Sequence, residues 1–539
     1  MEGWLERLIQ WLLGPDLPDE AHPGHLWPRW IFLRALGMIY FSAFYSFLFQ
    51  IRGMIGPTGI LPAGDYLQAL AASLHGWRFF YIPSLFWLGS SDRALMIVTW
   101  VGLIASLMVF FNVWPRAGLL ISFVCFLAFV TVARDFASYQ SDYMLPEAGF
   151  VAMFFAPPGL RPGLGRSHPS SRASLFLLRW EWFRIYFESG LAKMLSGDYS
   201  WRHFTAMDDY YQNAPLPTWI GWYVGHFPHW FHASAVVYTL AIELALVFMV
   251  FLPRPFKIAI FWIVAPFEIS IILTGNYAFL NYIVFFLGYL LLDDRHIERI
   301  VPAGIRGLFD SGTREAGPVD SAQSSIQLSD WQRFFRLTKM VIAGVCFTFV
   351  FYATTVWLVS RIVPSAPLWQ RPARIAELYH VATLYGLFAN MTHQRREVEF
   401  QGSMDGKTWT PYPFRYKPQD IYTAPGIYAP YQPRFEWNLW FASLGEWTEY
   451  QFVVSTQECL LKNDKDVLQL FASNPFPGAP PMQVRTVVYQ YWFTDMKTKR
   501  ETGAWWRREL LGDYSPPLER APDGRIFILD MDTVGPGGP

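Results

Sequence analysis

Charge is scarce in this chain. Of its 539 residues, 16% are Asp, Glu, Lys or Arg, where ordinary soluble domains carry about a quarter. The charges present cancel, 43 basic against 43 acidic, with no Lys/Arg-rich tract and no acidic tail. That excludes a nucleic-acid binder, which needs a basic face to neutralise phosphates. Cysteine is scarcer still. Cys125 and Cys346 lie in apolar runs and Cys459 stands alone in a polar region, so no disulfide framework can be built. The templates of common enzymes are also missing: no GxSxG, HExxH, Walker loop, dinucleotide fingerprint or CxxC occurs. There is no internal repeat, and no pair of Gly/Pro-broken spans in matching halves, which leaves a transporter without support.

Apolar surface is what the chain has in excess, with 53% hydrophobic and 18% aromatic residues. Much of it falls in runs near the ~20 residues that cross a bilayer as a helix: 30–50, 95–114, 117–133, 143–157, 175–191, 233–252, 256–273, 277–292 and 339–359. The expected fold is a multi-pass α-helical membrane domain of about 8–9 spans followed by a β-rich soluble domain. The run 143–157 is interrupted by Pro146 and Glu147 and reads alternatively as re-entrant, while 79–88 is too short to span and lies along the surface. Residues 1–29 form an N-terminal interfacial segment. Trp4, Leu5, Leu8, Trp11 and Leu12 share one helical side, opposite Glu2, Glu6 and Gln10, although a short soluble packing helix fits the same pattern. The segment shows no small-residue cleavage site, so the first span is expected to act as the targeting signal.

The organisation that follows is a polytopic membrane domain over 30–300, a Gly/Ser/Asp-rich inner linker over 301–338, a last transmembrane helix over 339–359, and an outward-facing domain over 360–539. Orientation rests on Lys and Arg, which cytoplasmic loops retain. Arg161, Arg166 and Arg172 in one loop, and Arg295, Arg299, Arg306 and Arg314 in another, lie on the N-terminal side. The C-terminal half then faces outward.

That half changes character. Alternating residues, prolines and turn signals predict a β-sandwich with short helices. Strands are expected over 397–401, 412–416 and 483–493, the first two flanking an Asp-Gly turn at Asp405-Gly406. Helical periodicity covers 456–473, and 505–511 reads as a short aromatic helix. Trp437, Trp440, Trp505, Trp506 and Arg507 are the candidate client-binding residues, since Trp and Arg concentrate at binding hot spots. The same residue types also build cores and membrane interfaces.

Ionisable residues inside apolar runs carry the remaining information, because each costs at least a few kcal/mol in a span. The run LFLLRWEWFRIYFESGLAKMLSGDYSW (175–201) holds most of them. Its Arg179, Glu181, Arg184 and Glu188 are read as a structural ion network, the last three at i+3 and i+4 spacings. Lys193 falls on the stripe of Arg179 and Tyr186 and has no local partner. With Glu243, Glu268 and Asn276 it is expected to line one cavity that opens outward. Two readings stay open: ion pairs that hold helices together, or a desolvated lysine acting as a base or anchoring an anionic group. His226, His229 and His232 have i, i+3 spacing, but Pro228 interrupts them and no paired acid ligand follows. No metal site is predicted there. Asp208-Asp209 is read as capping or solvating a loop.

Several long runs resemble the lipase maturation factor family. They are LRALGMIYFSAFYSFLFQIRGMIGPTGILPA (33–63), EAGFVAMFFAP (147–157), SGLAKMLSGDYSWRHFTAMDDYY (189–211), LTGNYAFLN (273–281), EFQGSMDGKTWTPYPFRYKPQD (399–420), YAPYQPRFEWNLWFASLG (428–445) and TGAWWRRELLGDYSPP (502–517). The resemblance implies a multi-pass protein of the endoplasmic-reticulum membrane, or of a bacterial inner membrane. Its C-terminal domain would be lumenal or periplasmic, and its partners would be membrane lipids and secreted lipase-like clients that it helps to fold and assemble. No cofactor is implied. A second resemblance lies in Ser189-Gly190-Leu191-Ala192-Lys193, which is similar to the Gly-x-Lys-Lys segment of vitamin K-dependent γ-glutamyl carboxylase. There the second lysine is the catalytic base and aligns with Lys193, while Ala192 stands where the first lysine would be. That likeness implies an alternative function, a membrane enzyme using Lys193 on a lipid-soluble, quinone-type cofactor or substrate.

Overall fold

The computed structural model describes residues 24–300 and 330–529. The expected amphipathic helix within 1–23 and most of the inner linker lie outside the described residues. Each of the nine apolar runs coincides with a helix: α1 (Leu26–Ile55), α2 (Asp92–Phe110), α3 (Pro115–Val130), α4 (Gln140–Phe155), α5 (Arg172–Leu195), α6 (His229–Leu244), α7 (Arg254–Thr274), α8 (Leu280–Gly288) and α9 (Asp330–Ile362). Five are long and apolar enough to cross a membrane: α1, α2, α6 with its 3-10 extension to Phe251, α7, and α9 from Thr338. The α3 and α8 helices are apolar but shorter. The α4 helix runs unbroken through Pro146. The α5 helix has the length but carries too many charges to qualify on composition.

The α1 helix is the hub of this half, buried along most of its length against α2, α4 and α8. It approaches α2 most closely at Gly37, where a Cβ would stand 2.7 Å from the Phe110 backbone nitrogen. Only a residue without a side chain fits there. Ser91 and Ser171 cap α2 and α5 by accepting the Ala94 and Ser174 amides, which satisfies donors that a helix start leaves open.

The C-terminal half holds one antiparallel sheet, in the order β2-β1-β3-β4-β5. Its strands are β1 (Arg395–Ser403), β2 (Thr410–Pro411), β3 (Gln483–Phe493), β4 (Trp506–Arg520) and β5 (Ile526–Ile528). The expected sandwich is corrected here: among the described residues there is no second sheet. Its place is taken by α10 (Arg434–Ala442) and α11 (Phe452–Leu461), which pack on β1 and on β3 and β4 respectively. Phe400 of β1 stacks on Phe435 of α10, centroids 6.4 Å apart, and Phe471 closes the cluster.

The expected helix at 505–511 is also corrected. Trp506 opens β4 and pairs with Phe493, Arg507 with Trp492, and Arg508 with Tyr491. Cation–π contacts between neighbouring strands stabilise the extended form, Arg507 lying 4.4 Å from the Trp492 ring and Arg508 4.5 Å from Tyr489. The helix expected over 456–473 runs instead from Phe452 to Leu461, with one further turn at Lys465–Leu468. Asn463 takes a left-handed φ of 54° between them, and Asp464 restarts the helix by accepting the Asp466 and Val467 amides.

The two halves share one continuous apolar core. Polar contacts lock them further. Arg434 of α10, fully buried, donates to both oxygens of Asp142 on α4 (2.7 and 3.0 Å) and to the Phe136 carbonyl (2.8 Å). Ser42 and Ser46 of α1 donate to the Pro430 and Gln432 carbonyls.

Candidate functional site

The charged face of α5 does not look at water or lipid. It looks at residues 383–388, a stretch without regular secondary structure that returns into the helical bundle after α9. Backbone that is neither helix nor strand survives at this depth only when protein groups satisfy its N–H and C=O groups. Here side chains do so. Arg184 donates to the Thr383 carbonyl at 2.7 Å and pairs with Glu147 of α4. Glu147 accepts the Thr383 amide at 2.8 Å and the Tyr385 hydroxyl at 3.0 Å. Glu188 accepts the Tyr385 amide at 2.8 Å, and Arg361 of α9 donates to the Tyr385 carbonyl. Gln140 accepts the Gly386 amide at 3.0 Å and Ser189 the Leu387 amide at 3.1 Å. Lys193 donates to the Leu387 carbonyl at 2.9 Å, and Trp201 to that of Phe388 at 3.0 Å.

The stretch is held beyond the bundle as well. Asp198 accepts the Met391 amide at 2.5 Å and the Ser200 amide at 2.8 Å. Against burial, the Ser200 hydroxyl, which donates to the same carboxylate at 2.6 Å, and then these amide bonds hold its carboxyl below the usual carboxylate range. His380 stacks flat on Tyr143, centroids 4.5 Å apart, and burial pushes its imidazole down to about 4.

Lys193 finds its acid on another helix. Its ammonium lies 2.8 Å from Glu243 Oε1 on α6 and 5.0 Å from the Trp201 ring. The approach depends on Gly190, where a Cβ would stand 2.8 Å from that of Glu243. Beside the pair is a cavity of about 70 Å³ lined by Tyr186, Ser189, Lys193, Glu243, Glu268 and Asn281 among others. Glu268 accepts from the Tyr186 hydroxyl and from Asn281 Nδ2, the latter at 2.8 Å.

The structure therefore brings Lys193, Glu243 and Glu268 together and leaves Asn276 out, a correction to the expected set. Asn276 instead clamps the C-terminal half. Its amide donates to the Leu216 and Gly426 carbonyls (3.1 and 2.9 Å), and its oxygen accepts the Tyr428 and Ala429 amides (2.6 and 3.0 Å). The cavity asparagine is Asn281, which sequence reasoning missed. Its signal was a second amide in LTGNYAFLN, at the start of an apolar helix.

The ion network is also corrected. Arg184 and Glu188 belong to it, 3.8 Å apart, but its strongest partner is Glu147. Arg179 points elsewhere, to the Leu290 carbonyl and His25. Glu181 is buried beside the network, and among the described residues its carboxylate makes no hydrogen bond.

Of the candidate client-binding residues, Trp437 and Trp506 are buried, and this overturns their reading as surface. Trp437 packs on Tyr139 and Tyr277, at 6.0 and 6.3 Å, inside the joint between the halves. Trp506 fills the sheet core between Tyr491 and Phe493. Trp440 and Trp505 are half-buried and Arg507 is exposed.

The three histidines do not meet at one point. His229 and His232 both face Asp208, at 2.9 and 3.0 Å, while His226 reaches the Thr494 carbonyl. Among the described residues no group of three or more His, Cys, Asp or Glu is placed to hold a metal ion.

Comparison with known proteins gives this geometry its family. Residues 27–299 match the lipase maturation factor transmembrane domain, and residues 381–516 match the lipase maturation factor C-terminal domain. The chain belongs to the lipase maturation factor family. It is 30% identical to lipase maturation factor 2 of Gallus gallus over 586 residues, covering 91% of this chain and 81% of that protein. It is 29% identical to lipase maturation factor 1 of Mus musculus over 521 residues (93% and 89%), and 29% identical to lipase maturation factor 1 of Homo sapiens over 518 residues (93% and 89%). No solved structure matches.

The quinone-type cofactor implied by the carboxylase likeness does not fit this lipase maturation factor relative. A cavity of about 70 Å³ holds a few waters, whereas small-molecule sites run from roughly 300 Å³ upward. The Lys193 ammonium is already committed to Glu243 and the Leu387 carbonyl.

Proposed function

We propose that this chain is a membrane-anchored maturation factor that assists the folding and assembly of secreted lipase-like clients. Its helices cross the bilayer about eight or nine times, five of them long and apolar enough to do so on length and composition alone. The C-terminal domain works on the outer side, in the lumen of the endoplasmic reticulum or in a bacterial periplasm. The observation that carries this reading is the ordered match of both family halves together with similarity to proteins named lipase maturation factor 1 and 2 over 81–89% of their length. The excess of Lys and Arg in loops on the N-terminal side supports the orientation.

Client contact then falls to residues with exposed surface. Arg507 with its Trp492 partner, and the accessible edges of Trp440 and Trp505, are the candidates that remain. Folding intermediates expose apolar and unpaired surface, and a cation stacked on an aromatic ring offers both an apolar and a charged contact.

The test is secretion of a dimeric lipase from a host lacking its own maturation factor, with and without this protein. With it, active secreted lipase rises severalfold at constant total lipase, and Arg507→Glu lowers the gain. Equal lipase activity with and without the protein sinks the proposal.

A further inference from the structure

A groove of about 830 Å³ runs along α1 between the end of α2, α8 and the loop 428–431, away from the Lys193 cavity. Met38, Phe41 and Tyr45 of α1 and Phe286 of α8 supply apolar walls, and Met38 and Tyr45 are 41% exposed. One cation interrupts this surface. Arg34 lines the groove yet is 7% exposed. Its Nε donates to the Val109 carbonyl at 2.8 Å, whereas its buried Nη2 has no hydrogen-bond partner among the described residues. Nearby in the lining, Asn112 donates to the Gly163 carbonyl while its buried Oδ1 accepts nothing from the described residues.

Buried guanidinium N–H groups left unpaired are costly, so this end of the groove needs an acceptor that carries negative charge. The rest of the groove needs hydrocarbon. Length adds a third constraint: eleven residues of helix separate Arg34 from Tyr45, about 16 Å at 1.5 Å per residue, close to half of a ~30 Å hydrocarbon core. One acyl chain in one leaflet has that reach.

We propose that this groove is a binding site for an anionic phospholipid. Its phosphodiester accepts from Arg34, a hydroxyl of its head group donates to Asn112, and one acyl chain lies along α1 beneath the loop 428–431. That loop also carries the Pro430 carbonyl held by Ser42 and the Ala429 amide held by Asn276. An occupied groove therefore braces the joint between the two halves.

The experiment reconstitutes the full chain into nanodiscs of phosphatidylcholine alone or with phosphatidylglycerol, and measures the thermal midpoint and the lipids retained after detergent extraction. The wild type is expected to unfold at a higher temperature with phosphatidylglycerol and to retain it selectively. Arg34→Gln is expected to lower that retention about tenfold, the scale of one charge-assisted hydrogen bond, and to abolish the thermal difference. Met38→Trp fills the groove from its exposed side and keeps Arg34, so it tests the site if Arg34→Gln does not fold; it too lowers retention. Equal midpoints in both nanodiscs, or retention that neither substitution changes, overturns the proposal. Selective retention of phosphatidylcholine or detergent does so as well.

Discussion

Lys193 shows how one buried charge decides between structure and chemistry. It is 1% exposed, and its donors serve the Glu243 carboxylate and the Leu387 carbonyl. Removing one member strands the other, which for buried pairs costs about 3–5 kcal/mol. Lys193→Met alone should lower the unfolding midpoint in detergent strongly, and Lys193→Met with Glu243→Leu should recover most of the loss. The decisive reading is lipase secretion by the double variant. A structural lysine allows secretion to return with stability; a general base leaves the protein stable and inactive. His380 gives the pH counterpart outside the spans. Its folded value, about 4 against an ordinary 6.5, means that protons bind the unfolded state first as pH falls below 6.5. Stability is complete above that pH and is lost toward pH 4. Solvent reaches this half-buried ring, so the loss is of order 1–2 kcal/mol. His380→Phe keeps the stack on Tyr143 and should flatten the midpoint between pH 6.5 and 4; an unchanged slope assigns it to other groups. Sequence alone placed Lys193, Glu243 and Glu268 in one cavity because acids and bases in apolar runs must find each other. It misplaced Asn276, since an asparagine at a helix end faces the cavity or a loop depending on backbone that no pattern encodes.

At the scale of elements, α5 was legible as a helix and illegible as a clasp. The i+4 spacing of Arg184 and Glu188 is real, yet their separation is 3.8 Å, while Arg184 also reaches α4 and the stretch 383–388. The partner lies about 200 residues away in a stretch with no periodicity, so nothing local announced it. The strand at Trp506 was hidden similarly: WWRRELL reads as helix until Trp492 and Tyr489 of β3 offer faces for its arginines. The clasp makes a prediction of its own. Amides of Thr383, Tyr385, Gly386 and Leu387 donate to side chains, all buried but the half-buried Gln140, and should exchange hydrogen as slowly as those of the β1–β3 ladder, though they belong to no regular element. Glu188→Gln keeps an acceptor and should change little; Glu188→Leu removes it and should speed exchange at Tyr385 first. Rapid exchange at these four amides in the wild type would show that the stretch is not held as described.

For the whole molecule the question is whether the C-terminal half is a domain carried by an anchor or part of one folded body. Composition suggested the former, since charge, proline and turn signals rise after about residue 360. Packing argues for the latter. Phe435 and Trp437 belong to the same apolar core as α1 and α4, and the Arg434 guanidinium spends its described hydrogen bonds on Asp142 and Phe136. A fragment beginning near 364 would expose that face and leave the guanidinium without its acid, so it should aggregate or unfold non-cooperatively. In the full chain, heat or denaturant should produce one coincident transition for near-UV signals from the sheet and for helical signals from the bundle. Arg434→Met leaves Asp142 buried and unpaired, which costs about 3–5 kcal/mol, and should split the transition in two, the sheet melting first. Arg434→Met with Asp142→Leu removes both charges and should bring the transitions back together, because apolar side chains of similar size can replace a buried pair at little cost. If Arg434→Met still melts in a single step at the wild-type midpoint, the joint owes its rigidity to the shared apolar core alone, and the buried Arg434–Asp142 pair adds nothing to it.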